Sequence, residues 1–131
     1  RSVEDGVKAG RYNWSDSDIT SSHFPSEEAG TKKISIELVH FGRSIRTKEV
    51  LSELDKTGLR SATLKEFLAL GEKEQDIQRE IPSTALVCVW KYSSGRRYCA
   101  CLRRSDSKRN LSLSGIGYRW DDCYRFAAVR K

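Results

Sequence analysis

The chain has 131 residues, of which 37% are hydrophobic and 32% charged, and its net charge is +6. This length is typical of one domain with a sizeable core, and no apolar run approaches the roughly 18 residues needed to span a membrane. The chain begins at Arg1 and contains no Met. We therefore interpret it as a processed product. Whether a leader sequence was cleaved is left open, and so is the compartment in which the protein lies.

The charge is unevenly distributed along the chain. Residues 1–89 carry 13 basic and 15 acidic residues, a net of −2, whereas residues 90–131 carry 11 and 3, a net of +8. Such an asymmetry indicates either a nucleic acid or an acidic partner. The preferred interpretation is simpler: arginine is a common residue in a diversified segment.

Residues 1–31 are predicted to form an N-terminal extension. A short helical turn is expected over residues 2–8, ended by Gly10, and a surface turn over residues 26–31. Between them, four large apolar side chains are expected to pack as a loop against the core: Tyr12, Trp14, Ile19 and Phe24.

Residues 32–90 are predicted to form the scaffold, which begins with a strand over residues 34–41. Its apolar residues alternate with polar ones, so one face is expected to be buried, with His40 as the last residue of that face. Thr47 is the expected N-cap of a first helix, and Gly58 is expected just after its end.

A second helix is predicted from a capping box at Thr63 and Glu66, whose side chains can satisfy each other's backbone amides. Gly71 is expected to interrupt this helix. A charged, solvated continuation over residues 72–80 is expected to stop at Pro82.

The remaining chain is predicted to contain strands and turns only. A strand buried on both faces is expected over residues 84–90, a turn over 93–95, and further strands over 97–102, 111–114 and 125–130. The predicted fold class is therefore α+β, with two helices packed on a small, mostly antiparallel sheet of short strands.

Residues 91–124 have a restricted composition. Nearly every position is Ser, Arg, Tyr, Gly, Asp, Cys or Asn, and there is no Glu, Gln, Met, Val or Pro. Tyr, Ser, Gly, Asn and Arg are typical of adaptable binding surfaces. All seven residue types can also be reached from an AAC or AAT codon by changing only its adenines. The segment therefore has the composition of a fixed frame that carries randomised contact positions.

Two further segments point to a known family. The segment 58–67, Gly-Leu-Arg-Ser-Ala-Thr-Leu-Lys-Glu-Phe, resembles the entry to the second helix in formylglycine-generating-enzyme-like members of the C-type lectin fold. The segment 124–130, Tyr-Arg-Phe-Ala-Ala-Val-Arg, resembles their last strand. With the restricted composition, residues 32–131 resemble the variable proteins of diversity-generating retroelements, which occur in bacteria, archaea and their viruses.

The resemblance implies a lectin-like scaffold with a variable ligand-binding region over residues 91–124 and a closing strand over 125–131. Frame residues are expected to pack identically whatever their neighbours become: Trp90, Gly95, Leu102, Leu111, Leu113, Trp120 and Phe126. Contact residues are expected to point outward: Lys91, Tyr92, Ser93, Ser94, Arg96, Tyr98, Arg103, Arg104, Ser105, Asp106, Asn110, Ser112, Ser114, Tyr118, Arg119, Asp121, Asp122 and Tyr124. At least one of the four tyrosines in this set is expected to pack in the core instead.

The four cysteines and the few acidic residues do not suggest a catalytic or metal site. The paired C-x-x-C spacing of structural zinc sites is missing from the four cysteines, Cys88, Cys99, Cys101 and Cys123. We rank three interpretations of them: accidental free thiols first, a disulfide second and a zinc site third. Asp121 and Asp122 alone do not make a calcium site. No phosphate loop or hydrolase motif is present. We expect no enzymatic activity, no cofactor and no metal.

The predicted function is therefore non-enzymatic ligand binding, with an unknown protein or cell-surface molecule as the partner. The alternative is a nucleic-acid-binding domain that uses the basic, Tyr-containing C-terminal strands. The sequence names neither the ligand nor the oligomeric state.

Overall fold

The computed structural model describes residues 2–25, 35–73, 83–91, 94–105, 108–117 and 119–131, and for residues 85–91 and 105 it describes the backbone alone. Three helices lie within these ranges: α1 (Val3–Ala9), α2 (Thr47–Lys56) and α3 (Leu64–Lys73). None of them is long and apolar enough to cross a membrane. The strands are β1 (Trp14–Ser15), β2 (Glu37–His40), β3 (Ile45–Arg46), β4 (Leu59–Ser61), β5 (Ser83–Lys91), β6 (Arg97–Ser105), β7 (Lys108–Gly115), β8 (Arg119–Trp120) and β9 (Arg125–Arg130).

Seven of these strands form one sheet in the order β1-β7-β6-β5-β9-β2, with β4 also paired to β9, while β3 and β8 form a separate pair. The β1–β7 and β5–β9 pairs are parallel and the others antiparallel. The α+β class and the mostly antiparallel sheet are confirmed. The helical turn expected over residues 2–8 forms α1, so the described residues contain three helices and not two. The prediction of short strands is wrong for β5, β6 and β7, which are eight or nine residues long.

The large sheet is covered on one face and over part of the other. One face packs against α1, α3 and the N-terminal loop, in a cluster that includes Phe67, Leu102 and Leu111. The other face packs against α2 and the β3–β8 pair, in a cluster that includes Trp120 and Phe126. The central strand β9 can therefore bury apolar side chains on both sides, so strict alternation of apolar and polar residues is not required there.

The N-terminal extension follows the prediction at α1 but not at Trp14. Ser2 caps α1, because its Oγ accepts a hydrogen bond of 3.0 Å from the Asp5 amide. Ile19 and Phe24 are buried in the core as expected. Trp14 was predicted to pack against the core, but its side chain is 52% exposed because it lies on a two-residue edge strand.

The beginning of α2 differs from the prediction by one residue. The N-cap is Arg46, and Thr47 is the first helical residue. The Thr47 hydroxyl instead donates to the Ile116 carbonyl at 2.9 Å and accepts from Trp120 Nε1 at 2.8 Å. The end of the helix is as predicted, since Gly58 follows it with a φ of +77°, a conformation that favours glycine.

The capping box that begins α3 is confirmed. The Thr63 amide donates to Glu66 Oε1 at 2.8 Å, and the Glu66 amide donates to Thr63 Oγ1 at 3.2 Å. The Arg60 guanidinium also donates to both oxygens of Glu66, at 2.8 and 3.0 Å. Burial raises the pKa of Glu66, but the bonds from Arg60 and Thr63 outweigh it and lower the pKa. The carboxylate therefore stays ionised and fixes β4 to the start of α3.

Two other predicted features are wrong. His40 was expected to end a buried face, but it is exposed, and its Nε2 lies 2.7 Å from the Asp122 carbonyl oxygen. Gly71 was expected to interrupt the second helix, but α3 continues to Lys73. The turn over residues 26–31, Ile34, the continuation over 74–80, Pro82 and the side chain of Trp90 lie outside the described residues.

Gly71 is buried inside α3 because the Tyr12 ring occupies the space a side chain would need. A Cβ at this position would overlap the Tyr12 hydroxyl. An ordinary Gly→Ala change in a helix interior stabilises by roughly 1 kcal/mol. Here we expect Gly71→Ala to destabilise by about 1–3 kcal/mol, as overpacking does.

The measurement is urea unfolding of Gly71→Ala, Tyr12→Phe and the double variant. Removing the Tyr12 hydroxyl should recover part of the loss. The double variant should therefore lose less free energy of unfolding than the two single variants lose in sum. A stabilising Gly71→Ala would contradict this packing.

Candidate functional site

Strand alternation separates the residues of the β6–β7 pair onto two faces of the sheet. Ala100 and Leu102 of β6 lie opposite Leu113 and Leu111 of β7, and these four residues pack in the core beside α3. The intervening pairs point to the other face: Cys99 with Ser114, Cys101 with Ser112, and Arg103 with Asn110. The polar residues of the restricted segment therefore come together on one face of the pair.

This face is closed over part of β6 and partly open along β7. Cys99 and Cys101 are 0% exposed and belong to the cluster formed with Trp120, Tyr124 and Phe126. The other four residues are partly exposed, although the hydroxyl oxygen of Ser112 is itself buried. We call them the open polar face: Arg103, Asn110, Ser112 and Ser114. All four were predicted to contact ligand, and the structure places them side by side.

The Arg103 side chain connects the open polar face to the core. Its Nη2 donates to Ser114 Oγ, and its guanidinium carbon lies 5.5 Å from the centre of the Tyr124 ring. Tyr124 was predicted as an outward contact residue, but it is 7% exposed and packs edge-on against Trp120 at 4.9 Å. It satisfies the expectation that at least one tyrosine packs in the core. Burial raises the pKa of Tyr124 to about 12, so the ring stays neutral beneath Arg103.

The buried thiols have an unusual environment. Thr84 Oγ1 lies 3.2 Å from Cys99 Sγ, and Cys101 Sγ lies 3.9 Å from the Cys99 carbonyl oxygen. Burial would raise the pKa of Cys101, but hydrogen bonds from Cys99, Ser114 and Thr84 and the charge of Arg103 lower it to about 6. The hydrogen bond to Cys101 and burial raise the pKa of Cys99.

Cys99, Cys101 and Cys123 are free thiols, and the side chain of Cys88 is not described. Within the described ranges, no group of three or more His, Cys, Asp or Glu residues is placed to hold a metal ion. Cys123 is exposed, whereas Cys99 and Cys101 are fully buried. Because a thiol must be reached before it can react, the three thiols should differ in reactivity despite the low pKa of Cys101.

We expect a maleimide reagent to modify Cys123 rapidly in the folded protein, and Cys99 and Cys101 only after unfolding. Peptide mapping by mass spectrometry, with and without denaturant, measures the modified fraction of each cysteine. Modification of Cys101 in the folded protein at the rate of Cys123 would show that the cover formed by Trp120 and Tyr124 opens readily.

The other predicted contact residues lie at three further places. Ser94 and Arg96 are exposed before β6, and Tyr98 is half-buried near the start of that strand. Arg119, Asp121 and Asp122 are exposed around β8, and Arg104 is exposed near the end of β6. The positions outside the described residues are Tyr92, Ser93, Asp106 and Tyr118, together with the side chains of Lys91 and Ser105.

Arg109 belongs to the restricted segment, yet it is a core residue that was not predicted. It is 3% exposed, and its guanidinium donates to the carbonyls of Gly10 at 2.6 Å and Gly71 at 2.9 Å. It also lies 4.9 Å from the centre of the Tyr12 ring. The signal was available in the sequence, because residues 109, 111 and 113 share one face of a strand.

Comparisons with known proteins found no matching family model, no matching curated protein and no matching solved structure. The features of the chain that bear on function are the composition of the restricted segment and the geometry of the open polar face.

Proposed function

We propose that the chain is a non-enzymatic ligand-binding module with a C-type-lectin-like fold, whose residues 91–124 are diversified by a retroelement. The observation that carries this proposal is the alternation in the β6–β7 pair. Leu102 and Leu111 hold the strands in the core, while Arg103, Ser112 and Ser114 occupy the opposite, partly exposed face. Contact residues on such a face can change without altering the packing beneath them.

The position of the last strand also supports the proposal. β9 pairs with β2 on one side and with β5 and β4 on the other. Ala127 and Ala128 within it are fully buried. A central strand of this kind must keep its sequence, which agrees with a boundary of the diversified region near residue 124.

The gene's own neighbourhood provides the direct test. A diversified segment requires a near-copy template and a reverse transcriptase beside the gene, and the two copies should differ only where the template has adenine. We expect such differences at the codons of Asn110, Ser112 and Ser114, and none at Leu111. The absence of a template, or differences without adenine restriction, would contradict the proposal.

A nucleic-acid-binding domain is the alternative, and the net charge of +8 over residues 90–131 favours it. Two arginines of the β6–β7 pair are engaged within the protein, however: Arg109 donates to backbone carbonyls and Arg103 to Ser114. Fewer cations are then free for phosphates, so we propose weak and non-specific binding at most.

A salt titration with random single- and double-stranded oligonucleotides separates the two functions. Binding through phosphates falls linearly with the logarithm of salt concentration, because condensed counterions are released. We expect any affinity to vanish near about 0.15 M salt. Sub-micromolar binding that persists at this ionic strength would make the nucleic-acid function the better one.

A further inference from the structure

Trp14 is an exposed aromatic residue outside the restricted segment. In the described part of the chain, Trp14 and Leu51 are the large apolar residues with exposed side chains, at 52% and 37%. Exposure of a single apolar residue is ordinary. The position of Trp14 in the sheet is what distinguishes it.

β1 extends the sheet beyond β7, and Trp14 pairs there with Asn110. Asn110 pairs in turn with Arg103 on β6. Residues paired across neighbouring strands point to the same face of a sheet. Trp14, Asn110 and Arg103 therefore form a row across three strands, about 10 Å long at the usual strand spacing. The exposed indole lies at the end of the open polar face.

The backbone on both sides of Trp14 is held in place. The Asn13 amide donates to the Arg109 carbonyl at 2.8 Å, and the Asp16 amide donates to the Leu111 carbonyl at 2.9 Å. The Asn13 side chain accepts from the Arg109 amide at 2.7 Å. A side chain on a fixed backbone loses less conformational entropy on binding than one on a mobile loop.

The surroundings of this row are basic. Of the five basic residues of β6 and β7, alternation places Arg97, Arg103 and Lys108 on this face, while the other two belong to the opposite face. A partner that approaches this face meets positive charge beside an exposed indole. Trp and Arg are the residues most enriched among those that dominate binding energy at protein interfaces.

We infer that Trp14 is a fixed aromatic anchor of the binding face and that its partner is a protein surface presenting carboxylates beside an apolar group. This inference rests on the proposed function and adds a residue and a partner chemistry to it. The anchor lies outside residues 91–124, so diversification would change its neighbours while leaving it constant. Each variant would then begin from one shared apolar contact and gain its specificity from Asn110, Ser112 and Ser114.

Two display libraries test the inference, both randomised at Asn110, Ser112 and Ser114, one with Trp14 and one with Trp14→Ala. The targets are two synthetic peptides that share their apolar residues, one with glutamates where the other has lysines. We expect the Trp14 library to yield binders of the glutamate peptide, and Trp14→Ala in those binders to weaken affinity by about tenfold or more. Leu51→Ala, a change at the other exposed apolar residue, should leave affinity unchanged.

Thermal melts accompany the selection, and Trp14→Ala should stay folded at the assay temperature with only a modest drop in melting temperature, because about half of the residue is exposed and it lies outside the buried core. Binders of equal affinity from both libraries would overturn the role of Trp14 and leave the proposed function standing. Failure of both libraries against both peptides would overturn the inference together with the proposed function. Preference for the lysine peptide would overturn the assigned partner chemistry.

Discussion

Phe126→Ala is expected to lower the free energy of unfolding by about 3–5 kcal/mol, the usual cost of truncating a buried aromatic residue. Phe126 is 1% exposed in the central strand β9. Its ring lies 5.8 Å from that of Phe41 and 6.1 Å from that of Trp120, between centroids. The substitution would leave a cavity between the sheet and the β3–β8 pair. Urea unfolding of the variant measures the loss.

Arg96→Ala is the matched control, because Arg96 is exposed and lies within the restricted segment. Exposed substitutions usually change stability by less than about 0.5 kcal/mol. Similar losses in Phe126→Ala and Arg96→Ala would contradict the division into frame and contact residues.

Arg109→Ala is the second substitution with a large expected effect, about 3–5 kcal/mol. The change removes the donors to the buried carbonyls of Gly10 and Gly71, and each unsatisfied carbonyl costs about 1–3 kcal/mol. It also removes the stack on Tyr12 and the packing of the arginine stem. Because Arg109 ties the end of α1 to α3 and β7, the N-terminal extension should loosen first.

Arg104→Ala is the control for this prediction, since Arg104 is the exposed register partner of Arg109 on β6. Arg109→Lys should be intermediate, because a single ammonium lacks the fork that reaches both carbonyls. Urea unfolding gives the free energies, and hydrogen exchange locates the loosened segment. An Arg109→Ala variant as stable as Arg104→Ala would contradict the structural role of the guanidinium.

Features set by local sequence were predicted well. The capping box of Thr63 and Glu66, the glycine after α2 and the closing strand over residues 125–130 depend on residues close together in the chain. The position of β9 could not be predicted in this way, because its partners come from residues 37–40, 59–61 and 83–84. Thr47 likewise departs from the predicted N-cap because its hydroxyl is used by Trp120, which is distant in sequence.

The same distinction applies to the candidate site. Strand alternation correctly placed Ser112 and Ser114 on the face of β7 that the leucines do not occupy. Applied to Arg109, it would also have placed that residue on the core face. The burial of Tyr124 and Cys101 could not be predicted from alternation, since it depends on Trp120 and α2 covering half of the second face. A strand pattern assigns residues to faces, but it does not show which part of a face stays open.

One measurement tests the division of the restricted segment most directly. Two libraries are compared, each randomised at four positions of the β6–β7 pair, and the folded fraction is measured by protease resistance. The first changes Arg103, Asn110, Ser112 and Ser114, and the second changes Ala100, Leu102, Arg109 and Leu111. We expect most members of the first library to remain folded and few of the second. Equal folded fractions would contradict the claim that one face of this pair is a frame and the other a surface free to vary.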